Sequence, residues 1–287
     1  SAGLPLSRDA DGLVSVLLDA TQNHDAPLTA ERLKGWQAAL FPTGYSGLHR
    51  IVAGEWRGPE PMRVVSGPLG RETVHFEAPP LERVEGEMGR FLSWWQESRG
   101  ETEGVLRAAL AHLRFLTIHP FEDGNGRVAR ALTDMALAQD EGEPRRFYSL
   151  SSRIMAEREG YYAILERTQK GDRDITAWLL WFLGCMTRSL ELSEALLANV
   201  LAKGEFWRRH ADVQLSERKR KVVNRLLDAG PGGFEGGLTT RKYASMAGVS
   251  RATAFREIAQ LLEWGMIRQN SASGRNVSYA IIWPSET

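Results

Sequence analysis

The chain has a single cysteine and no apolar run long enough to cross a bilayer. Its best apolar stretch, residues 175–186, is about half the length that a transmembrane helix needs. The one cysteine, Cys185, lies inside this stretch, which indicates a small core residue and excludes a disulfide framework. No basic segment followed by an apolar stretch is present, so no secretory signal is predicted. We therefore expect a protein without membrane association, in a reducing, cytoplasmic location.

The chain also lacks net charge, but its charges are unevenly distributed. Residues 213–287 hold 11 Lys or Arg against 6 Asp or Glu, whereas the preceding 212 residues hold 25 against 30. The C-terminal part is therefore basic and the remainder acidic. This asymmetry predicts a separate C-terminal unit with its own partner preference.

Apolar residues recur at helical spacing along most of the chain. Residues 42–80 differ, because glycine and proline there separate short β-prone runs. Two of these runs, residues 62–66 and 72–76, predict a hairpin joined through residues 67–70. Helices are predicted within residues 11–41 and over 81–98, 102–118, 127–139, 151–170 and 174–202.

A break between two of these helices combines a base with a metal ligand. His119 closes one helix, and Pro120 prevents that helix from continuing unperturbed. Asp123 offers a hard oxygen ligand of the kind that Mg²⁺ takes alongside phosphate oxygens. His112, two turns earlier on a similar face, is expected to be a hydrogen-bonded structural histidine.

The same break also predicts an anion site. Gly124 and Gly126 have no side chains, so their backbone N–H groups can approach an anion closely. The next helix begins at about Asn125 or Gly126, and a helix N-terminus favours phosphate. Arg127 and Arg130 are three residues apart, so they lie near one another and can grip phosphate oxygens. Each feature alone is common for structural reasons, but the set within twelve residues favours phosphoryl or nucleotidyl transfer.

The motif resembles the signature of the Fic family, which reads His-Pro-Phe-x-Asp/Glu-Gly-Asn-Gly-Arg-x-x-Arg. Residues 119–130 match it at every specified position. The resemblance extends over roughly residues 10–200 through flanking stretches that include 18–21, 40–44, 64–67 and 161–169. It implies a mainly α fold, a Fic-type helical bundle with a small β-hairpin flap. The implied division is an N-terminal helical region with the flap over 1–95 and a catalytic core over 96–202.

The resemblance implies a protein adenylyltransferase that uses ATP and Mg²⁺. His119 would take the proton from a Ser, Thr or Tyr hydroxyl, which attacks the α-phosphorus of ATP and releases pyrophosphate. Asp123 would hold Mg²⁺, and Phe121 would pack the loop against the core. The target is another protein or the chain itself. The remaining nucleotide contacts are assigned to the N–H groups of Gly124, Asn125 and Gly126, to Arg127 and Arg130 at the β- and γ-phosphates, and to Tyr161, Tyr162 and Gln169 at adenine.

The hairpin resembles the flap with which this family aligns the target segment by strand-like pairing. The candidate flap residues are Val74, His75, Phe76 and Glu77. An ordinary hairpin without substrate contact is the alternative.

Many members of the family also carry a self-inhibitory helix reading Ser/Thr-x-x-x-Glu-Gly/Asn, whose Glu pairs with the second motif arginine, here Arg130. The nearest match, residues 7–12, has Asp11 in place of Glu. The chain begins at Ser1, and we expect the inhibitory segment upstream of it or on a partner protein.

The C-terminal residues 217–287 predict a winged helix-turn-helix domain after a linker over 203–216. A short helix over 240–247, a Gly-Val turn and a Ser250 cap lead into a helix over 251–264, followed by two strands that flank a wing. Three side chains of the second helix are candidates to contact a DNA major groove, namely Arg251, Thr253 and Arg256. Residues 240–280 therefore predict DNA binding, and protein interaction or formation of a homodimer is the alternative.

Two further classes of function stay open at this point. One is Fic chemistry of another kind, with a different transferred group or removal of AMP. The other is a DNA-binding regulator that senses nucleotide with little turnover. The complete motif favours an active enzyme over an inert Fic unit.

Overall fold

The computed structural model of the chain describes residues 8–66, 71, 73–270 and 277–284. It forms two compact units, Ser1–Leu190 and Glu191–Thr287. The first unit is mainly helical, which confirms the predicted fold class. Its helices are α1 (Arg8–Gln22), α2 (Ala30–Leu40), α3 (Leu81–Glu97), α4 (Gly104–Ile118), α5 (Asn125–Glu141), α6 (Leu150–Ala156), α7 (Arg158–Gln169) and the first part of α8 (Thr176–Arg209).

Helices α4 and α5 form the centre of this unit. Small residues on both helices are fully buried, and they let the two helix axes approach closely. Helix α1 packs on α5, and α3 packs on α4. The buried small residues are Ala108, Ala109 and Ala111 on α4, and Ala129, Ala131, Ala136 and Ala138 on α5.

Two short antiparallel hairpins interrupt the helices. The first pairs β1 (Tyr45–Ser46) with β2 (His49–Arg50), and the sequence patterns did not predict it. The second pairs β3 (Arg63–Ser66) with β4 (Thr73–Glu77), where a hairpin was predicted. Its connection over residues 67–70 lies outside the described residues.

The predicted helix over 151–170 is two helices, α6 and α7, that meet at Glu157. The backbone of Glu157 leaves the helical region at φ −102° and ψ 30°. Its carboxylate accepts hydrogen bonds from Arg153 on α6 and Arg188 on α8, at 2.5 and 2.6 Å. Glu157 thus holds this corner partly through a long-range partner, Arg188, that periodicity does not reveal.

The second unit has its own buried core. Helix α9 (Glu217–Asp228) and helices α10 (Thr240–Ala247) and α11 (Arg251–Glu263) pack with the strand pair β5 (Ile267–Gln269) and β6 (Tyr279–Ile281). The predicted wing tip, residues 271–276, lies outside the described residues. The winged-helix assignment and the three boundaries between the four predicted segments stay predictions. Within the described ranges, no helix is long and apolar enough to cross a membrane.

Candidate functional site

His119 stands at the point where α4 ends. Its backbone is left-handed, at φ 50°, and its N–H group donates to the carbonyl of Phe115 at 2.9 Å. A non-glycine residue is uncommon in this region, and such residues cluster at functional sites. Arg57, which is buried, fixes the turn, because its Nε donates to the His119 carbonyl at 2.9 Å and its N–H group donates to the Pro120 carbonyl at 2.8 Å.

The hydrogen bond of the His119 ring sets its tautomer. Nδ1 lies 3.2 Å from the carbonyl oxygen of Leu116. A carbonyl oxygen only accepts, so Nδ1 carries the proton and Nε2 is left as the acceptor. Burial lowers the pKa of His119 to about 4, against the weaker opposing effect of the Leu116 hydrogen bond. The imidazole is therefore neutral at neutral pH, in the form that a general base requires.

The loop after His119 is held in place from its interior. Phe121 is fully buried, and the side chain of Asn125 accepts from its N–H group at 3.1 Å and donates to its carbonyl at 2.8 Å. Both the oxygen and the nitrogen of the Asn125 side chain are thereby used within the loop. Glu122, at the unspecified position of the motif, accepts hydrogen bonds from the N–H groups of Val52 and Gly58, at 2.9 and 3.4 Å.

The predicted anion site is the turn that opens α5. Gly124 adopts φ 90°, and a Cβ there would lie 2.9 Å from the Phe41 ring, so only glycine fits. Its N–H group donates to Asp123 Oδ1 at 2.5 Å. The N–H groups of Asn125 and Gly126 begin the helix and have no intrahelical partner, and they carry the positive end of its dipole.

The two motif arginines extend this positive region along α5. The Arg127 guanidinium lies 4.4 Å from the centroid of the Phe41 ring, and its Nη2 is 3.9 Å from Asp123 Oδ1. Arg130 is half-buried, and burial lowers the pKa of its guanidinium. Across the described part of the chain, Arg130 forms no ion pair with a carboxylate. A half-buried cation of this kind attracts an anion more strongly than a fully exposed one does.

Asp123 is held beside these groups by residues that the sequence patterns did not single out. Ser46, on the β1–β2 hairpin, donates to Asp123 Oδ2 at 2.5 Å, and Gln37 Nε2 lies 3.4 Å from the Asp123 carbonyl. The carboxylate remains partly exposed. Neither Ser46 nor Arg57 has a distinguishing sequence signal, since their roles depend on contacts with residues more than 60 positions away.

The predicted adenine residues lie in different surroundings. Tyr161 is only 4% exposed, and its hydroxyl is hydrogen-bonded to His112 Nε2 at 2.8 Å. Tyr162 is half-exposed beside Arg158, whose guanidinium is 5.5 Å from the ring centroid. Gln169 Nε2 lies 3.4 Å from the hydroxyl of Thr117 on α4. Their contacts with adenine stay predictions.

The candidate flap strand β4 is anchored to α7. Residues Val64 and Val65 pair with Phe76 and Val74, so His75 is an extra, bulged residue. The bulge directs His75 Nδ1 to Glu166 Oε2 at 2.5 Å. Lys170 Nζ also lies 3.4 Å from the Val74 carbonyl. The hairpin is therefore positioned from the helix that carries Gln169, while Glu77 pairs with Arg63 on the neighbouring strand.

Together, these features define a helical protein with a histidine, a carboxylate and two arginines around a helix N-terminus. Residues 27–137 match the model of the Fic/DOC family. This part of the chain is therefore a Fic/DOC domain, as the sequence motif predicted.

Comparisons with known proteins agree with this assignment. The chain is similar to the uridine 5'-monophosphate transferase of Xanthomonas campestris pv. campestris, at 30% identity over 46% of the chain and 25% of that protein. It is also similar to the protein adenylyltransferase Fic of Nematostella vectensis, at 31% identity over 50% of the chain and 32% of that protein. The matched parts thus span a quarter to a third of these relatives, both of which are named as transferases.

A solved structure shares the fold. It is a Fic domain containing signaling protein from Bacteroides thetaiotaomicron, with 25% identity over 65% of this chain and 69% of that chain and a TM-score of 0.50. This likeness supports the Fic-type helical bundle of the first unit.

Proposed function

We propose that the protein is an adenylyltransferase that transfers AMP from ATP to a Ser, Thr or Tyr hydroxyl of a target protein. The observation that carries this proposal is the contact of His119 Nδ1 with the Leu116 carbonyl, which leaves Nε2 as the acceptor a few residues before the N-terminus of α5. A base beside an anion site suits a reaction in which a hydroxyl attacks a phosphorus atom. A cytoplasmic location is part of the proposal.

The proposed reaction is a single displacement at the α-phosphorus. The target oxygen forms a bond to this phosphorus, and the bond from the phosphorus to the bridging oxygen of the β-phosphate breaks. The proton of the hydroxyl passes to His119 Nε2, and pyrophosphate leaves with the bonding electrons. The negative phosphates nearby favour the imidazolium that results.

The basic groups of α5 are suited to hold the triphosphate. The N–H groups of Asn125 and Gly126 would donate to phosphate oxygens, and Arg130 would pair with the terminal phosphates. Donors fixed by the helix and by the Phe121–Asn125 hydrogen bonds need no rearrangement as charge moves to the leaving group.

Asp123 fits a magnesium ion. Within the described ranges, no cluster of three His, Cys, Asp or Glu side chains could hold a metal alone. Mg²⁺ needs no such cluster, because it takes one or two carboxylates together with substrate phosphates and water. Bound to Asp123, it would neutralise negative charge on the phosphates.

Ser46 is expected to act through Asp123. Replacing Ser46 with alanine removes the hydrogen bond to Oδ2, so the carboxylate loses its fixed orientation. We expect the Mg²⁺ concentration for half-maximal transfer to rise about tenfold, as for other partners of metal ligands. A Mg²⁺ titration of the transfer rate measures this, with the exposed Ser15→Ala variant as the control. An unchanged Mg²⁺ requirement would contradict this role.

The flap would present the target hydroxyl to His119. Within the described residues, β4 pairs with β3 alone, and an extended peptide would bind along its other edge. Its anchoring by Glu166 and Lys170 would keep that edge fixed relative to the catalytic loop.

The experiment that tests the proposal compares labelled nucleotides. The protein is incubated with Mg²⁺ and cell lysate together with α-³²P-ATP, γ-³²P-ATP or α-³²P-UTP. Label on protein from α-³²P-ATP alone supports AMP transfer. Label from γ-³²P-ATP would instead indicate phosphate transfer, and no label despite ATP binding would favour the nucleotide-sensing regulator.

UMP transfer is a second candidate, because one relative is named a uridine 5'-monophosphate transferase. Label from α-³²P-UTP, at a higher rate than from α-³²P-ATP, would favour it. The catalytic steps would be unchanged, since His119 acts on the target hydroxyl and the anion site acts on the phosphates, and neither acts on the nucleobase.

A further inference from the structure

The exposed face of α11 has features of a nucleic-acid docking surface. We define the α11 face as Arg251, Ala252, Phe255, Arg256 and Ala259, all of which are exposed and lie on one side of the helix. Phe255, at its centre, is 63% exposed. The ring can make an apolar contact and the two arginines can bind anionic groups of the same partner.

The charge of the α11 face is positive where a recognition helix makes its contacts. Neither Arg251 nor Arg256 forms an ion pair in the ranges that the structure describes. The first two turns of the face contain no carboxylate, and Glu263 follows only at the C-terminal end. The region around it, residues 213–287, is also basic, with 11 Lys or Arg against 6 Asp or Glu.

The opposite side of α11 explains why the first two turns of the face contain no carboxylate. Glu257, the other acidic residue of this helix, is buried and points into the unit. Its carboxylate accepts hydrogen bonds from the Tyr243 hydroxyl and from Arg218 Nη2, both at 2.8 Å. Glu257 thus ties α11 to α10 and α9, and Arg218 neutralises its charge. Arg251 and Arg256 therefore have no carboxylate beside them in the first two turns of α11, and Glu263 follows seven residues after Arg256.

Helix α10 and the turn after it present α11 in a defined orientation. Gly248 ends α10 in the left-handed region, at φ 65°, and the Ser250 hydroxyl caps α11 by accepting from the Thr253 N–H group at 3.2 Å. Arg241, in the first turn of α10, lines a cavity with Arg225 and Lys242. In a helix-turn-helix the first helix crosses the DNA backbone while the N-terminal residues of the second contact bases.

We propose that the α11 face binds the major groove of double-stranded DNA, with Arg251 and Arg256 at base edges and Arg241 at a phosphate. The groove admits one α-helix, and arginine is the side chain that most often reads a guanine there. Phe255 supplies an apolar contact of the kind that a thymine methyl group accepts. This activity is independent of the proposed AMP transfer, since its residues lie in the second unit.

The test measures the binding of the full chain to a fluorescein-labelled random 24-bp duplex by fluorescence anisotropy at 50 and 200 mM KCl. The wild type is expected to bind the duplex, more weakly at the higher salt concentration, and to prefer it to either single strand. The R251E/R256E variant is expected to bind at least about tenfold more weakly. The R90E/R145E variant changes the net charge equally at exposed arginines of the first unit and is expected to retain wild-type affinity.

Three results would overturn the proposal. They are an absence of salt-dependent duplex binding by the wild type, equal or tighter binding to single strands, and equal losses in the two double variants. The first of these would leave the α11 face to a protein partner. Because all four substituted arginines are exposed, thermal unfolding by circular dichroism is expected to be unchanged and serves as the folding control.

Discussion

Replacing His119 with alanine is expected to lower the rate of AMP transfer by about 10² to 10⁴-fold, the usual contribution of a general base. The substitution removes Nε2, the proton acceptor, and leaves the N–H groups and arginines that hold the phosphates. The Kd for ATP is therefore expected to stay within about threefold of the wild-type value, because the groups that would hold the phosphates are unchanged. The transfer of label from α-³²P-ATP to protein and a direct binding titration measure the two effects.

The matched control is His210→Ala, in the second unit, which is expected to transfer AMP at the wild-type rate. A His119→Ala variant that keeps more than about a tenth of the activity would contradict the assigned role, since a lost general base costs at least about a hundredfold. Loss of ATP binding together with activity would instead indicate that His119 supports the fold of the anion site.

The pH dependence of the reaction adds a second check on His119. Only the neutral imidazole accepts a proton, and burial lowers its pKa from the ordinary 6.5 to about 4. As the pH falls, kcat/KM is therefore expected to decrease only near this lowered pKa. The acid limb that is due to His119 thus lies well below pH 6. An acid limb centred near pH 6.5 that disappears in His119 variants would contradict the buried geometry.

The placement of the motif residues could be predicted from sequence because they are close together along the chain. His119, Asp123 and Arg130 lie within one turn and the next helix, so their spacing alone implies that they converge. The residues that orient them are not local. Arg57 and Ser46 contact this loop from more than 60 residues away, and their side chains have no periodic or motif signal.

The secondary structure could be predicted to a similar extent and for a similar reason. The predicted start of α11 at Arg251 and its Ser250 cap are confirmed, because an N-cap depends on adjacent residues. The break at Glu157 was missed, since it depends on Arg188, which is 31 residues away. The β1–β2 hairpin was also missed, because two-residue strands are too short to show alternation.

The packing that positions the loop after His119 also buries His112. This burial is expected to lower the free energy of unfolding at acidic pH. The Thr133 hydroxyl donates to the Ala129 carbonyl, so it can only accept from His112 Nδ1, at 2.9 Å. Nε2 then accepts from the Tyr161 hydroxyl at 2.8 Å. Both ring nitrogens are thus satisfied in the neutral form. Protonation would place a second hydrogen against the Tyr161 hydroxyl and a charge in a fully buried position.

We therefore expect the first unit to lose stability steeply as the pH falls. Burial lowers the pKa of His112 to about 3, whereas the unfolded chain takes up the proton near 6.5. A lowered pKa of a histidine means that the full stability is present above pH 6.5 and is lost as the pH falls towards 3. Between pH 7 and pH 4.5, His112 alone is expected to lower the free energy of unfolding by roughly 2–3 kcal/mol.

Urea unfolding at pH 7 and pH 4.5, followed by circular dichroism, measures this loss in the wild type and in His112→Gln. The glutamine variant is expected to be less stable at pH 7, because the amide fits the Thr133 and Tyr161 hydroxyls less well than the ring does. It is nevertheless expected to lose roughly 2–3 kcal/mol less between the two pH values, because it has no imidazole to protonate. Carboxylates titrate in both proteins, so the difference between the two pH dependences isolates His112. Equal pH dependences of the two proteins would mean that His112 has the same pKa in the folded and unfolded states. That result would contradict a neutral histidine that is fully buried between two hydroxyls.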